Sequence, residues 1–246
     1  MSGPVPDLGL EATRVLDELE SRGVAARAVG GLAIHLRCPS SGRPPLARSY
    51  KDLDLATVLP ASRPLTEALS GLGYEPDQEF NALHGQERLL FWDVQHERQL
   101  DVFVDRMVLC HTLEFANRLT LEARTLPLAD LLLTKLQVVE VNERDLKDAA
   151  ALLADYELGP DGIDIERVVE VLAGDWGWWR TATATLERVA GYAGDLDGFP
   201  SAALVVQRAT ALHERVDAAP KSRRWRLRAM VGERKRWYEL PEEINA

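Results

Sequence analysis

The sequence predicts an α+β fold, with an N-terminal half of alternating strands and helices and a C-terminal half of helices alone. In the first half, short apolar or alternating runs typical of strands are separated by helical runs and by turns rich in Gly and Pro. From Pro127 onward, apolar residues recur at helical spacing, beginning with Leu128 and Leu131. We therefore predict two domains, 1–126 and 127–246.

In the first domain, the predicted helices carry one apolar face, and glycines mark where they end. The predicted helices cover 6–22, 32–36 and 64–72. The predicted strands cover 24–29, 53–59, 88–94 and 100–104, with 95–98 as the turn between the last two. A further strand or hairpin is predicted somewhere in 112–126.

In the second domain, the helical period continues to the end of the chain, interrupted by Gly and Pro. The predicted helices cover 128–139, 144–156, 164–173, 178–193, 200–218 and 221–238.

Composition narrows the class of protein. The net charge of −10 argues against broad, nonspecific binding of nucleic acid. The only cysteines, Cys38 and Cys110, are too few for a disulfide framework and lack metal-ligand spacing. The sequence has no run of about 18 apolar residues that predicts a membrane span. We expect a cytoplasmic protein that does not interact with membranes.

Three carboxylates carry the functional signal. In a strand, residues i and i+2 point to the same face, so Asp52 and Asp54 are expected side by side. A neighbouring strand that carries Asp101 completes the cluster, although Asp105 and Asp93 are alternatives for the third position. Carboxylates this close resist ionisation unless a divalent cation such as Mg²⁺ compensates their charge. A solvated strand face would give the same alternation.

Two further features surround this cluster. Gly30 and Gly31 follow a predicted strand and open a helix, where backbone N–H groups are able to meet phosphate oxygens. The alternative is a tight strand-to-helix turn without a ligand. Lys135 interrupts an apolar helical stripe, so its ammonium either reaches water or points into a cleft. Asp145 and Asp148 share a helix face, and they either pair with Lys135 or Arg144 or are ordinary solvated acids.

These motifs resemble the nucleotidyltransferase fold of the DNA polymerase β superfamily and, within it, the AbiEii-type and minimal nucleotidyltransferases of bacteria. The resemblance covers roughly residues 25 to 155. It includes Arg48 ahead of the Asp-x-Asp strand and the segments 130–136 and 143–148. It departs from the family in Ser49–Lys51 and in a long, turn-rich loop before the strand. It implies a mixed β-sheet flanked by helices, with the helical domain completing the cleft.

The resemblance also implies a function, which is Mg²⁺-dependent transfer of a nucleoside monophosphate from a nucleoside triphosphate to an acceptor hydroxyl. Two Mg²⁺ ions are expected on Asp52, Asp54 and Asp101. The triphosphate is expected to contact Gly30, Gly31 and Arg48. Its negative charge is expected to be neutralised by Lys135 and Arg48. Acceptors in the family include RNA or tRNA, proteins and small molecules, and some members are toxins with a cognate antitoxin.

The segment 221–236 leaves a second kind of function open. It holds eight basic residues and one acidic residue, a local charge of +7, with Trp225 within it and Trp237 directly after it. Such a segment favours contacts to RNA phosphates and bases, or docking of a helix onto an acidic body through its Trp and Leu residues. The alternatives to an enzyme are therefore a catalytically silent nucleotide-sensing or toxin–antitoxin module and an RNA-binding protein.

Overall fold

The computed structural model describes residues 3–240, and the outer ends of the predicted domains at 1 and 246 lie outside them. The helices are α1 (Leu8–Ser21), α2 (Gly30–Arg37), α3 (Ser62–Gly71), α4 (Gln78–His84), α5 (Leu128–Leu136), α6 (Glu143–Asp155), α7 (Ile165–Gly174), α8 (Trp176–Asp195), α9 (Ala202–Ala218) and α10 (Arg223–Val231). The strands are β1 (Ala26–Val29), β2 (Leu53–Thr57), β3 (Glu75–Pro76), β4 (Arg88–Asp93), β5 (Arg98–Val104), β6 (Arg106–Val108) and β7 (Thr112–Glu114).

The chain separates into two compact units. The sheet unit contains the described residues up to Arg37, together with Ser49–Met107 and Glu114–Pro127. The helical unit contains Cys38–Arg48, Val108–Leu113 and the described residues from Leu128 onward. The predicted α+β class, a mixed sheet flanked by helices and followed by a helical region, is confirmed. The division into domains 1–126 and 127–246 stays a prediction.

The sheet unit is organised around five strands in the order β1-β2-β5-β4-β3. The β2–β5 pair is parallel, whereas the β1–β2, β4–β5 and β3–β4 pairs are antiparallel, so the sheet is mixed. Leu53 and Leu55 are buried in the core, as the alternation of the Asp-Leu-Asp-Leu segment predicts. Helices α1 and α2 contact β1, and α2 also contacts β2.

The helical unit is held by the contacts among α5, α6, α7, α8 and α9. Asparagine or aspartate caps three of its helices, because a short side-chain oxygen accepts the N–H groups that the first turn leaves unpaired. Asn142 caps α6, Asp164 caps α7 and Asp175 caps α8. The loop before β2 belongs to this unit, and its Ser40 amide donates to Asp155 of α6 at 2.9 Å. None of the helices within 3–240 is long and apolar enough to cross a bilayer.

Two local predictions need correction. The helix predicted over 221–238 ends at Val231, because Gly232 takes a left-handed φ of 58° that terminates α10. The sequence pattern also missed β3 and α4. Helix α4 has no buried residue and depends instead on Asp77, whose side chain accepts the Phe80 amide.

Candidate functional site

Asp54 and Asp101 lie directly opposite each other on neighbouring parallel strands. The register of β2 and β5 pairs their Cα atoms. Partners in register point to the same face of a sheet, and adjacent strands are about 4.8 Å apart. Their side chains therefore leave the same face from adjacent positions. Asp54 is half-buried, and Asp101 is only 5 % exposed.

Asp52 lies one residue before the start of β2 and is exposed. The strand prediction for this motif is therefore right from Leu53 to Thr57, whereas its first carboxylate belongs to the approaching segment. The structure brings Asp54 and Asp101 together in the sheet. Asp52 lies in the loop that leads into β2, two residues before Asp54.

Gly30 forms the turn from β1 into α2 and lies next to Asp54. Its φ of 73° is left-handed, a region that residues with a Cβ rarely adopt. A Cβ placed on Gly30 would meet Asp54 Oδ2 at 2.2 Å. Glycine is therefore required both for the turn and for the close approach of the Asp54 carboxylate. Gly31 follows in the first turn of α2.

Asp101 already has two partners on its own face of the sheet. Arg88 of β4 donates to Asp101 Oδ1 at 2.7 Å, and the Gln99 side-chain amide donates to Oδ2 at 2.7 Å. The Arg88 guanidinium also lies 5.2 Å from the centre of the Phe103 ring. Arg88 and Gln99 were missed by the sequence analysis.

A signal for both residues is present in the sequence. Gln99 is two residues before Asp101, so strand alternation alone places the two on one face. Arg88 follows from the hairpin register, in which Arg88 is opposite Phe103, the residue two beyond Asp101. Fixing that register requires the length of the turn, which the sequence pattern leaves uncertain by a residue or two.

Mg²⁺ prefers carboxylate oxygens as ligands, so the side chains of Asp54 and Asp101 are of a suitable chemical type to bind a divalent cation. The Asp54 carboxylate occupies the space that a Cβ on Gly30 would fill, and Asp54 is half-buried. Within 3–240, however, no three His, Cys, Asp or Glu side chains are grouped to hold a metal ion. Asp101 would join such a group by exchanging Arg88 and Gln99 for the ion.

Asp93 and Asp105, the alternatives for the third carboxylate, both make structural contacts within the sheet unit. Asp93 is buried and pairs with Arg98 and with His96 Nδ1, the latter at 2.8 Å. Burial raises the pKa of Asp93, but the hydrogen bonds from Arg98 and His96 outweigh it and hold the pKa below its usual range. Asp105 has a left-handed φ of 62° and accepts the Leu59 amide at 3.2 Å. Both therefore stabilise turns.

Lys135 and Arg48 meet at one carboxylate in the helical unit. Lys135 Nζ lies 3.0 Å from Asp148 and 3.1 Å from Asp145, both on α6. Arg48 binds Asp148 with two parallel hydrogen bonds of 2.9 and 2.7 Å. Of the alternatives for Asp145 and Asp148, the structure has the pairing with Lys135. The expected phosphate contacts of Lys135 and Arg48 stay predictions.

The charge on this cluster is stable at neutral pH. Burial lowers the pKa of Lys135, but attraction and hydrogen bonds from Asp148 and Asp145 outweigh the burial and raise the pKa above its usual value. Asp148 is 1 % exposed and contacts both cations, so removal of its carboxylate would leave both without a shared buried partner.

The basic segment 221–236 docks within the helical unit through tryptophans. Trp225 meets Trp179 edge-on at 5.2 Å between ring centres, and Trp237 meets Trp176 edge-on at 5.9 Å. The Trp237 indole N–H donates to Thr181 at 3.1 Å. Packing through Trp therefore accounts for the placement of the segment, while several of its arginines stay exposed.

Comparison with known proteins gives one weak likeness. No protein-family model and no curated protein matches the chain. Its structure resembles that of the antibiotic-resistance factor ANT(2'')-Ia, a nucleotidyltransferase, with a TM-score of 0.39 and 14 % identity. The match covers 73 % of this chain and 91 % of the other. A likeness this weak carries no argument about the site or its substrate.

Proposed function

We propose that the chain is a Mg²⁺-dependent nucleotidyltransferase, which transfers a nucleoside monophosphate from a nucleoside triphosphate to an acceptor hydroxyl and releases pyrophosphate. The observation that carries this proposal is the register of Asp54 and Asp101 beside the left-handed turn at Gly30. The two carboxylates lie on one face of the sheet, next to the start of α2, where a Cβ on Gly30 would clash with Asp54. Carboxylates bind a divalent cation and a helix N-terminus binds phosphate, so this arrangement is suited to a phosphate chain with a bound cation.

In this proposal, Asp52, Asp54 and Asp101 hold two Mg²⁺ ions. Bound there, the ions supply the positive charge that activates the acceptor hydroxyl and stabilises the leaving pyrophosphate. The backbone N–H groups at Gly30 and Gly31 bind phosphate oxygens and hold the α-phosphorus in line with the acceptor. Asp101 accepts the proton of the acceptor hydroxyl.

Lys135 and Arg48 have a second proposed role, which is to neutralise the triphosphate. Each would exchange one of its contacts with Asp148 for a phosphate oxygen. An ion pair that exchanges partners in this way positions a cation without leaving it unpaired in the free protein.

The proposal has a finer form, taken from the family resemblance. The protein would act in the cytoplasm as an AbiEii-type enzyme, with ATP or another nucleoside triphosphate as donor. RNA or tRNA, a protein and a small molecule are the acceptor classes. In the toxin–antitoxin form of the proposal, a cognate antitoxin binds and restrains it.

A catalytically silent nucleotide-binding module is the second candidate. The observation that favours it is the engagement of Asp101 by Arg88 and Gln99. If that engagement persists with nucleotide bound, Asp101 is unable to receive the acceptor proton.

The test is transfer of label from each nucleoside triphosphate, radiolabelled at the α-phosphate, to bacterial RNA and to a cell lysate in the presence of Mg²⁺. The variant is Asp54→Asn, and the matched control is Asp161→Asn, the same change at an exposed carboxylate of the helical unit. We expect transfer by the wild type and the control, and a loss of about 100-fold or more in Asp54→Asn.

Each other outcome decides between the candidates. Mg²⁺-dependent binding of nucleotide without transfer would support the silent module. Equal transfer by wild type and Asp54→Asn would overturn the assignment of the carboxylate pair. Absence of both binding and transfer would overturn both candidates.

A further inference from the structure

The helical unit contains a cleft that the proposed reaction does not use. Its volume is about 900 Å³, in the upper part of the range for small-molecule pockets. It lies between the start of α8, the segment 110–112, and α10 with the residues that follow it. Its aromatic lining consists of Trp176, Trp178, Trp225, Trp237 and Tyr238.

Positive charge predominates around this aromatic cleft. Arg224, Lys235 and Arg236 line it and are exposed. A fourth cation, Arg228, lies 4.4 Å over the Trp176 ring and donates to the carbonyls of Gly232 and Lys235, at 2.7 Å each. Arg228 therefore shapes the cleft, while the other three face solvent at its edge.

Two carboxylates also line the cleft. Asp175 is committed to α8, because it accepts the Trp178 amide at 3.0 Å. Glu239 is held through its backbone, whose amide donates to the Cys110 carbonyl at 3.0 Å. Four cations against two carboxylates leave a positive balance that favours an anionic ligand.

Trp225 is the lining tryptophan that lies on α10 itself. Its indole nitrogen is buried and has no hydrogen-bond partner among the described residues. Because this nitrogen is shielded from solvent, the ring and not the N–H group is the part of Trp225 that is available to a ligand in the cleft. The ring also has Lys221 Nζ 5.5 Å from its centre, so one further cation lies next to it.

We propose that this aromatic cleft binds a nucleotide unit, with the base stacked on an indole ring and the phosphate at Arg224, Lys235 and Arg236. Indole faces stack on any base, and exposed arginines bind phosphate oxygens. The same chemistry is offered by a free nucleotide and by a single strand of RNA. The site shares no residue with the carboxylate pair of the sheet unit, and we expect binding there without Mg²⁺.

The test is binding in EDTA, followed by tryptophan fluorescence and by anisotropy of a labelled RNA. The probes are AMP, ATP and a single-stranded oligouridylate of eight nucleotides. The variants are Arg224→Gln and Trp225→Phe. We expect both to keep the fold, because the Arg224 side chain is exposed and Trp225→Phe retains an aromatic ring. The matched control is Arg63→Gln, a side chain that is 90 % exposed in the sheet unit.

We expect both variants to weaken binding roughly fivefold or more, and Arg63→Gln to change it by less than about twofold. Tighter binding of the oligonucleotide with a steep salt dependence identifies a strand as the ligand, and equal binding of AMP identifies a free nucleotide. Absence of binding by all probes would overturn the proposal. Equal weakening by Arg224→Gln and Arg63→Gln would also overturn it, since the effect would then be general charge.

An Asp54→Asn variant separates this site from the proposed active site. We expect it to bind the probes in EDTA as the wild type does. Loss of binding in Asp54→Asn would place the nucleotide in the sheet unit instead and contradict the proposal.

Discussion

Asp101 in the sheet unit and Asp148 in the helical unit are both buried carboxylates, but they have different partners. Asp148 receives two cations, Arg48 and Lys135, whose side chains are each 13 % exposed. Asp101 receives one cation, Arg88, which is 27 % exposed, and a neutral amide. Asp101 also lies in register with a second carboxylate.

The difference separates a structural ion cluster from a site that is able to exchange partners. A buried carboxylate that is bound by two buried cations loses much of its stabilisation when either partner leaves. A carboxylate bound by one partly exposed arginine loses less, since water and salt already weaken that pair. We therefore predict that removal of the Asp148 carboxylate lowers the free energy of unfolding more than removal of a partner of Asp101 does. We also predict that Mg²⁺ stabilises the protein through the sheet unit alone.

The largest expected effect is at Asp148. In Asp148→Ala, Arg48 and Lys135 lose a shared buried partner, and we expect the free energy of unfolding to fall by about 3–5 kcal/mol. Urea denaturation measures it. The matched control, Asp161→Ala, removes an exposed carboxylate of the same unit and should cost under about 0.5 kcal/mol. A cost below about 1 kcal/mol for Asp148→Ala would mean that the cluster is solvated.

Gly30 gives the next effect. Gly30→Ala places a methyl group 2.2 Å from Asp54 Oδ2 at a φ of 73°, and we expect a loss of about 1–3 kcal/mol. Gly191→Ala is the matched control, because Gly191 lies within α8 and a Cβ there meets nothing within 4 Å. That substitution should stabilise the protein by up to about 1 kcal/mol, so the two variants should differ in sign. Equal effects would refute the close approach of Asp54.

The part of this site that the sequence could predict is the part that depends on backbone periodicity. Strand alternation predicts which residues of one strand share a face, so Asp54 is expected on the face opposite to Leu53 and Leu55 once the strand is found. The apolar residues Leu53 and Leu55 were predicted in the core for the same reason and are buried.

Partners across strands and helices could not be predicted in the same way. The Arg88–Asp101 pair depends on the register of a hairpin, and the Arg48–Asp148 pair joins residues 100 positions apart. Side-chain ion pairs also compete with one another, and local sequence does not determine which of several arginines reaches a carboxylate. Helix α4 was missed because none of its residues is buried, so it has no apolar period to detect.

Arg88 tests whether the sheet carboxylates accept a cation. In Arg88→Met, Asp101 loses its cation, and we expect a loss of about 1–2 kcal/mol in EDTA. Mg²⁺ should restore part of that stability and raise the unfolding temperature of the variant more than that of the wild type, since a ligand that binds only the folded state stabilises it. Asp148→Ala should show no such recovery. Identical Mg²⁺ responses in wild type, Arg88→Met and Asp148→Ala would contradict the metal assignment.

The smallest expected effect concerns Glu11, a third buried carboxylate. Burial raises the pKa of Glu11, but hydrogen bonds from Arg14, Tyr74 and the Val5 amide outweigh it and hold the pKa below its usual value of 4.5. Since the folded state binds the proton less tightly than the unfolded chain does, the contribution to stability is present above about pH 4.5 and is lost as the pH falls through the folded pKa.

This acid limb accompanies an alkaline limb, to which both Tyr74 of the sheet unit and Lys135 of the helical unit contribute, since burial raises the pKa of Tyr74. Lys135 has a raised pKa, so its contribution is present below its usual value of 10.5 and is lost as the pH rises through the folded pKa. Glu11→Gln should flatten the stability profile below pH 4.5, as measured by urea denaturation across pH. It should also change the alkaline limb, because the charge of Glu11 helps to raise the pKa of Tyr74. Glu20→Gln, at an exposed position of the same helix, should leave both limbs as they are. If Glu11→Gln leaves the acid limb as steep as in the wild type, the acid sensitivity comes from other carboxylates such as Asp93, whose pKa is also held low.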